Sequence, residues 1–516
     1  MSNQSLVQQA VRDSTGTALD YNGDWSALFD ADGIAVGPWS GRMLAWINST
    51  LGTSYVNVNE AMQAFAVDQG FYNWASMNTF SLSLAAALLG SETQGLAIDF
   101  TDGTAVVRDT GTPANNYNST ASGLLTYTSP SAKYILNSSG VLVSGSTIRT
   151  EYDSSGNPLG VRVEEARTNL CLQSSNFASN WLYYTDGTTT VNSTTAPDGT
   201  LTAAAVADTA GNAYHTLYQG GLISYTSGTV YTASIYLKYK DHRYVGLRGS
   251  TAVATGQTWA IADMLNGTVA FTGSGLTSAS LTAVGTNGWY RFVITYTSTS
   301  TASDGFAISL LDAATVPTDP GGTPYVGTGT GVYIWGPQCE VGAFATSYIP
   351  TTTATVTRAA DNISLLASAF PDCNAAATLY IKWRYTTTGM GTRQEGYRHI
   401  EYYDNGSDNR SYILAAPDKT YNTMRTAGVA QSDIRPLSSV DGIGPYKAAF
   451  AWASNDANAC LQGTLGTQDV TISTMTGATH LSISLGTSGV VHTRHVQQVL
   501  VIPRRMSDAD MQTLTT

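Results

Sequence analysis

Charge is what this sequence has least of. Lys, Arg, Asp and Glu together make up 12% of its 516 residues, and the balance is acidic, with a formal net charge of −12. That share is about half the usual one. No Lys/Arg cluster stands out along the chain. A groove that tracks phosphates needs concentrated positive charge, so nucleic acid is not an expected partner. Cysteine is also scarce: Cys171, Cys339, Cys373 and Cys460, with no CxxC among them. That excludes a disulfide scaffold and argues against structural zinc. The four read as small buried hydrophobes. A Cys171–Cys339 bridge stays open, because the two fall near the first and last strands of one expected sandwich. Long apolar runs are missing too. The most apolar stretch, Leu82 to Leu89, is too short to cross a bilayer. The opening MSNQSLVQQAVRD lacks the basic and apolar regions of a secretory signal. The expectation is a soluble protein without membrane insertion, which stays where it is made or leaves by a route such as particle release.

What replaces charge is Gly (50 residues), Tyr (29) and abundant Thr and Ser, within a hydrophobic content of 42%. β-Branched and aromatic residues fit a pleated surface, and Gly supplies the positive φ of tight turns. The chain therefore reads as folded and mainly β, with three or four folding units at roughly 150 residues each.

Residues 1–80 differ from the rest. Met43, Leu44, Ile47 and Leu51 recur at helical spacing, and Asn57 with Glu60 resembles a capping box before Ala61, Met62, Phe65 and Ala66. Trp25, Phe29, Trp39, Trp46 and Trp74 crowd the same stretch, as expected of a small helical domain with apolar surface to spare for a partner. Residues 81–165 carry short apolar runs (Gly95–Phe100, Gly123–Tyr127, Lys133–Leu136) in Gly/Ser/Thr/Asn-rich sequence and read as a β-rich connector. From 166 to 358 the strand signal is strong. Val230–Tyr239 alternates, with Ala233, Ile235, Leu237 and Tyr239 on one face and Thr232, Ser234, Tyr236 and Lys238 on the other. Trp289–Tyr296 and Gly331–Trp335 follow turn-forming residues, and such spacing predicts a sandwich or jelly roll. A second sandwich is expected over 359–516, with strands at Leu379–Tyr385, Tyr446–Trp452, Leu481–Leu485 and Val496–Ile502. Ser507 with Asp510 predicts the cap of a short final helix carrying Met511 and Leu514.

Two separated phrases then carry a resemblance. Pro158–Ser174 (PLGVRVEEARTNLCLQS) opens and Gly331–Asp361 (GVYIWGPQCEVGAFATSYIPTTTATVTRAAD) closes a module that includes Tyr231–Lys238 and Asn287–Thr295. The pattern resembles a family of carbohydrate-binding-like jelly-roll modules in tail, spike and head-fibre proteins of tailed phages and prophages. Residues 362–516 are similar to the concanavalin A-like, laminin-G-like lectin sandwich that often follows it, on the phrases TLYIKWRY, AAFAWASNDANACLQG and VLVIPRRMSDADMQTLT. The first 80 residues resemble N-terminal segments that attach a fibre to the particle. The resemblance implies two tandem antiparallel β-sandwiches on a virion assembled in the bacterial cytoplasm. It implies contacts with other virion proteins through the N-terminal domain, a homo-oligomer (most simply a trimer), and host-surface polysaccharide as ligand. It does not by itself supply an activity.

Convergent catalytic groups are not apparent. His492 and His495 form HxxH, but i and i+3 on a strand face opposite ways. His399 and Glu401, at i and i+2, would share a face as a two-ligand stub. Asp404-Asn-Gly-Ser-Asp408-Asn offers oxygens for calcium, although a hairpin turn explains it more simply. There is no GxSxG, no HExxH and no phosphate-binding Gly loop, and no carboxylate pair sits in a recognisable glycosidase context. The expectation is therefore a protein that is not an enzyme and holds no cofactor or metal. Sugar binding asks for exposed aromatics beside polar groups. The candidates are Trp181, Tyr183, Tyr184, His215, Tyr218, His242, Arg243, Tyr244 and Trp259, with Tyr397, Tyr402, Tyr403 and Arg410 as a comparable set in the second sandwich. The alternatives are a purely structural decoration protein and a polysaccharide depolymerase whose site the sequence does not reveal.

Overall fold

The computed structural model describes residues 94–516, apart from 109–116, 129–130, 178, 251–256, 315–321, 367–371, 387–397, 405, 407, 417–418, 437–439, 441 and 485–492. The helical domain expected over 1–80, the Leu82–Leu89 run, Tyr397 and His492 lie outside the described residues. The fold is mainly β, built from antiparallel sheets, in two compact units.

One unit spans Thr128–Asp361. Two six-stranded sheets face each other. The first runs in the order Leu182–Tyr183, Thr216–Tyr225, Ala302–Leu311, Tyr244–Arg248, Trp259–Asp263, Thr268–Thr272; the second in the order Thr188–Thr194, Ala203–Ala207, Gly331–Val341, Val230–Tyr239, Trp289–Thr297, Ser278–Val284. The non-sequential order is that of a sandwich whose strands cross between sheets. Alternation decides which side chains fill the middle: Ala233, Ile235, Leu237, Val245, Leu247, Phe292, Ile294 and Ile308 all join the inter-sheet core.

The opposite face of the second sheet is covered as well. The hairpin of Lys133–Leu136 with Leu142–Gly145 brings Leu136 and Leu142 against Tyr236, Trp289, Trp335 and Tyr348 in a second cluster. This is why Val230–Tyr239 is buried on both sides although its sequence alternates. The hairpin's turn comes so close to the turn between Ser278–Val284 and Trp289–Thr297 that a Cβ on Gly285 would sit 2.0 Å from the Gly140 carbonyl oxygen.

The other unit joins the described residues before 128 to Asn362–Thr516. One sheet runs Tyr117–Thr120, Thr104–Arg108, Gly95–Asp99, Arg494–Ile502, Ala377–Tyr385, Tyr446–Ala453, Asp456–Leu461, Thr464–Leu465. A facing sheet runs Val429–Ile434, Lys419–Thr426, Arg410–Ala416, Arg398–Tyr403, His480–Ser482, Asn362–Leu366. The final helix, Asp508–Thr515, starts at Ser507, whose side chain accepts from the Asp510 amide. Met511 seats it on Tyr380, Ala449 and Leu500, the outward row of the first sheet.

The stretch 81–165 is therefore not a single connector. Gly95–Asp99 pairs Leu96↔Val501 through Asp99↔Gln498 with the strand Arg494–Ile502, while Lys133–Leu136 belongs to the other unit. Leu96, Ala97 and Ile98 are fully buried, so the three-residue apolar core of GLAID suits a central strand, not a linker.

Candidate functional site

The first sheet of the Thr128–Asp361 unit presents the candidate site on its outward face. Chain running over one end of that face at Gly322 comes near Ser309 and Leu311, since a Cβ there would lie 2.7 Å from Ser309 Oγ. At the other end the pairing Leu182↔Tyr218 and Tyr183↔Leu217 sets the register. Leu182, Tyr184 and Tyr218 thereby point outward, while Tyr183 turns against the core. Tyr184 is 51% exposed and Leu182 58%. Tyr184 meets Tyr214 edge-on (centroids 5.5 Å apart, planes at 86°) and Tyr218 at 6.3 Å and 68°.

The backbone beneath this group is held firmly. The Tyr184 amide donates to Thr216 O, the Tyr214 amide donates to Thr185 Oγ1, and the Thr185 hydroxyl donates to Tyr214 O. Tyr218 lies across Gly220, where a Cβ would come within 2.6 Å of its ring. Asp186 borders the group and accepts from the Gly187 amide and the Thr209 hydroxyl. The Thr209 hydroxyl, followed by the Gly187 amide, holds the Asp186 carboxyl below the usual carboxylate range.

The other sequence candidates do not join this group. Trp181 is buried between Phe177 and Phe306, at 5.2 and 6.1 Å. Tyr183 donates to Thr188 O, and burial pushes its phenol up to about 12. His215, just before the strand Thr216–Tyr225, is buried, its ring 4.6 Å from that of Tyr325. His242 donates from Nε2 to Leu311 O, with Nδ1 2.9 Å from Thr330 Oγ1. Burial pushes its pKa down against the pull of Asp208. Arg243 forms a two-point pair with Asp263 (3.1 and 2.8 Å) above the Tyr244 ring. Hydrogen bonds, first of all from Arg243, bring Asp263 down to about 2. Trp259 lies over Gly246 with Arg248 5.6 Å from its ring and is 2% exposed. Trp181, His215, His242 and Trp259 are therefore structural.

Tyr214 escaped the sequence reading. Its signal was present: Tyr214, Thr216 and Tyr218 share one face at period two, and the intervening His215 and Leu217 share the other.

In the other unit, Tyr402 is buried and donates to Ala478 O, whereas Tyr403 and Arg410 are direct cross-strand partners. His399 and Glu401 do not share a face. The register shifts between Arg398 and Ile400, and this irregularity puts His399 flat on Trp383 (4.4 Å, 22°) and Glu401 against Arg398 (2.7 Å). Asp404 spends its carboxylate on Gly406 and Asn409 amides at the hairpin turn. No group of three metal-ligating side chains occurs among the described residues.

The two phrases that carried the resemblance turn out to be each other's partners. Glu164 accepts from the Ser347 amide and hydroxyl and pairs with Arg162 (2.9 Å) and Arg358 (3.5 Å). Asn169 Oδ1 accepts from the Cys171 and Cys339 amides, and its Nδ2 donates to Pro337 O and Ile349 O. Lys133 pairs with Asp361 at 2.7 Å. Glu164 thus clasps the module's ends, beside a local ion pair of Glu165 with Arg167, whose guanidinium also donates to Val341 O. Cys171 and Cys339 are free, buried thiols, the latter pushed up to about 12 by burial.

These features define a two-unit antiparallel β-sandwich protein with an exposed tyrosine group on one sheet. No family profile and no curated protein matches the chain. Among solved structures, it is similar to the heptameric SAP-like pentraxin from Limulus polyphemus at 10% identity, over 28% of this chain and 70% of that one, with a TM-score of 0.21. It is also similar to domains LG4-5 of the mouse laminin alpha1 chain, at 8% identity over 57% and 90%, TM-score 0.18. Trypanosoma rangeli sialidase in complex with the inhibitor DANA aligns at 11% identity over 60% of each chain, TM-score 0.23.

Proposed function

We propose that the protein is a carbohydrate-binding adhesin on the surface of a tailed-phage particle, and that Tyr184, Tyr214 and Tyr218 form its glycan platform. The observation that carries this reading is the edge-to-face tyrosine group, with Tyr184 exposed and Tyr214 and Tyr218 partly so, on a hydrogen-bonded sheet. Rigid tyrosines offer a large contact area at low entropic cost. Their ring faces suit the apolar side of a pyranose, and their hydroxyls with Thr185 and Asp186 supply hydrogen bonds to its edge. Binding of this kind needs no reacting group, so the protein acts without catalysis. The residues before 81 attach it to other virion proteins, and it assembles as a homo-oligomer, most simply a trimer.

A microarray of purified bacterial capsules and O-chains, probed with the full-length protein, tests the reading. Binding to at least one glycan, weakened tenfold or more by Tyr184→Ala or Tyr214→Ala, is the expected result. Silence across the array, or tyrosine variants that bind as well as the parent, overturns it. Release of reducing ends from a bound polysaccharide would replace adhesion by depolymerisation. Mass spectrometry of purified particles checks the virion location.

A further inference from the structure

Although no basic cluster stands out along the sequence, strand pairing assembles one in the unit that ends at Thr516. Arg410 sits directly opposite Arg425 in the register, and also opposite Tyr403. Tyr412, two residues along the same strand, faces the same way. Its ring has the Arg398 guanidinium 4.6 Å from the centroid and that of Arg410 at 5.7 Å. Glu401, the cross-strand partner of Tyr412, is buried and pairs with Arg398 at 2.7 Å. The inward side chains of the same strands, Ile400, Tyr402, Ile413 and Met424, are fully buried, so this group occupies the sheet's outward face. Arg410, Tyr412 and Arg425 are all partly exposed.

Like charges directly opposite each other destabilise a sheet, and here two arginines face each other while a third shares a ring with one of them. Burial, and then the charge of Arg398, lowers the Arg410 pKa, with Arg425 acting in the same sense. In a chain of net charge −12, the pairing of Arg410 with Arg425 gathers positive charge on one outward face, while Glu401 balances Arg398. Guanidiniums bind carboxylates and sulfates through paired hydrogen bonds, and a neighbouring tyrosine offers a surface for the ring that bears them.

We infer that the outward face bearing Arg398, Arg410, Tyr412 and Arg425 is a second binding site, specific for acidic polysaccharide. The charge complementarity selects an anionic glycan over a neutral one. Three arginines on a flat face fall short of the extended positive track a nucleic acid needs. The site is separate from the tyrosine group, so either can fail without the other.

Retention of the full-length protein on immobilised polygalacturonate, with neutral dextran as comparison, tests the inference. Retention on polygalacturonate alone is expected, lost as sodium chloride rises, because exposed charge pairs are screened. Arg425→Gln should weaken it at least fivefold and Arg425→Lys restore most of it, each with a melting temperature no lower than the parent's. Tyr184→Ala should leave it intact. Absence of retention at low salt, equal retention on dextran, or indifference to Arg425→Gln overturns the inference. Loss with Tyr184→Ala but not with Arg425→Gln overturns it in favour of the tyrosine site.

Discussion

Residues 128–361 form a unit whose two ends meet through buried polar and charged groups, with Glu164 held by Ser347, Arg162 and Arg358 and Asn169 bridging four backbone groups. The unit that ends at Thr516 closes differently. It takes strands from before residue 128 and holds Gly95–Asp99 and Thr104–Arg108 by strand pairing and apolar burial, with Leu96, Ala97, Ile98 and Val106 fully buried. The contrast shows which kind of closure leaves a trace in sequence. Buried ions and amides demand particular residue types, whereas a central strand needs only small and branched apolar ones.

The largest effect should come from breaking the polar closure. Arg358→Met leaves Glu164 short of one positive partner, and Glu164→Ala deprives buried Arg358 of its carboxylate while leaving Arg162 only Glu151. Removing one member of a buried pair costs about 3–5 kcal/mol, read as a lower urea midpoint for the Thr128–Asp361 unit. A shift under a tenth of that would mean the phrases are not a clasp. Next is Ile98→Ala, expected to cost about 2–5 kcal/mol in unfolding of the unit that ends at Thr516. A connector residue would cost almost nothing, so the same measurement decides whether Gly95–Asp99 is integral.

Acid provides a smaller, directional effect. Burial holds the His242 pKa below its ordinary 6.5, so the unfolded chain binds the proton more tightly than the folded one. The stabilisation is complete above about 6.5 and declines as pH falls from there toward the lowered folded value. Melting temperature should drop across this window in the parent and less steeply in His242→Gln; parallel curves would remove His242 from the account. The smallest effect belongs to the proposed glycan platform. Tyr184→Ala should change stability by no more than about 0.5 kcal/mol, because half of the side chain is already in water. A larger loss would make Tyr184 a packing residue.

Boundaries matter for any such experiment. A fragment beginning at 166 would omit Glu164, the Lys133–Leu136 hairpin strand and all three strands between 95 and 120, exposing apolar faces in both units. The full chain is therefore the material of choice.

Among the candidate site residues, Tyr184 and Tyr218 are the ones the sheet places together on its outward face. Trp181, His215, His242 and Trp259 were not distinguishable from them, since residue type alone does not tell the core side of a strand from its outward side. His399 shows the same limit more sharply. A register shift, invisible in local sequence, moves it off the face of Glu401 and onto Trp383.

By itself, the sequence determined that this chain is mainly β, where most central strands run, where the last helix starts, and which two phrases bracket a sandwich. The first three follow from local alternation, turn chemistry and capping, and the last from the resemblance those phrases carry. Tertiary structure decided which strands pair across hundreds of residues and which faces remain wet. It moved Gly95–Asp99 into the sheet of Arg494–Ile502, brought Tyr214 beside Tyr184, and turned arginines 398, 410 and 425 into one surface. Cross-strand register sets side-chain neighbours about 5 Å apart whatever their separation along the chain, so neither proposed binding face exists until the sheets form.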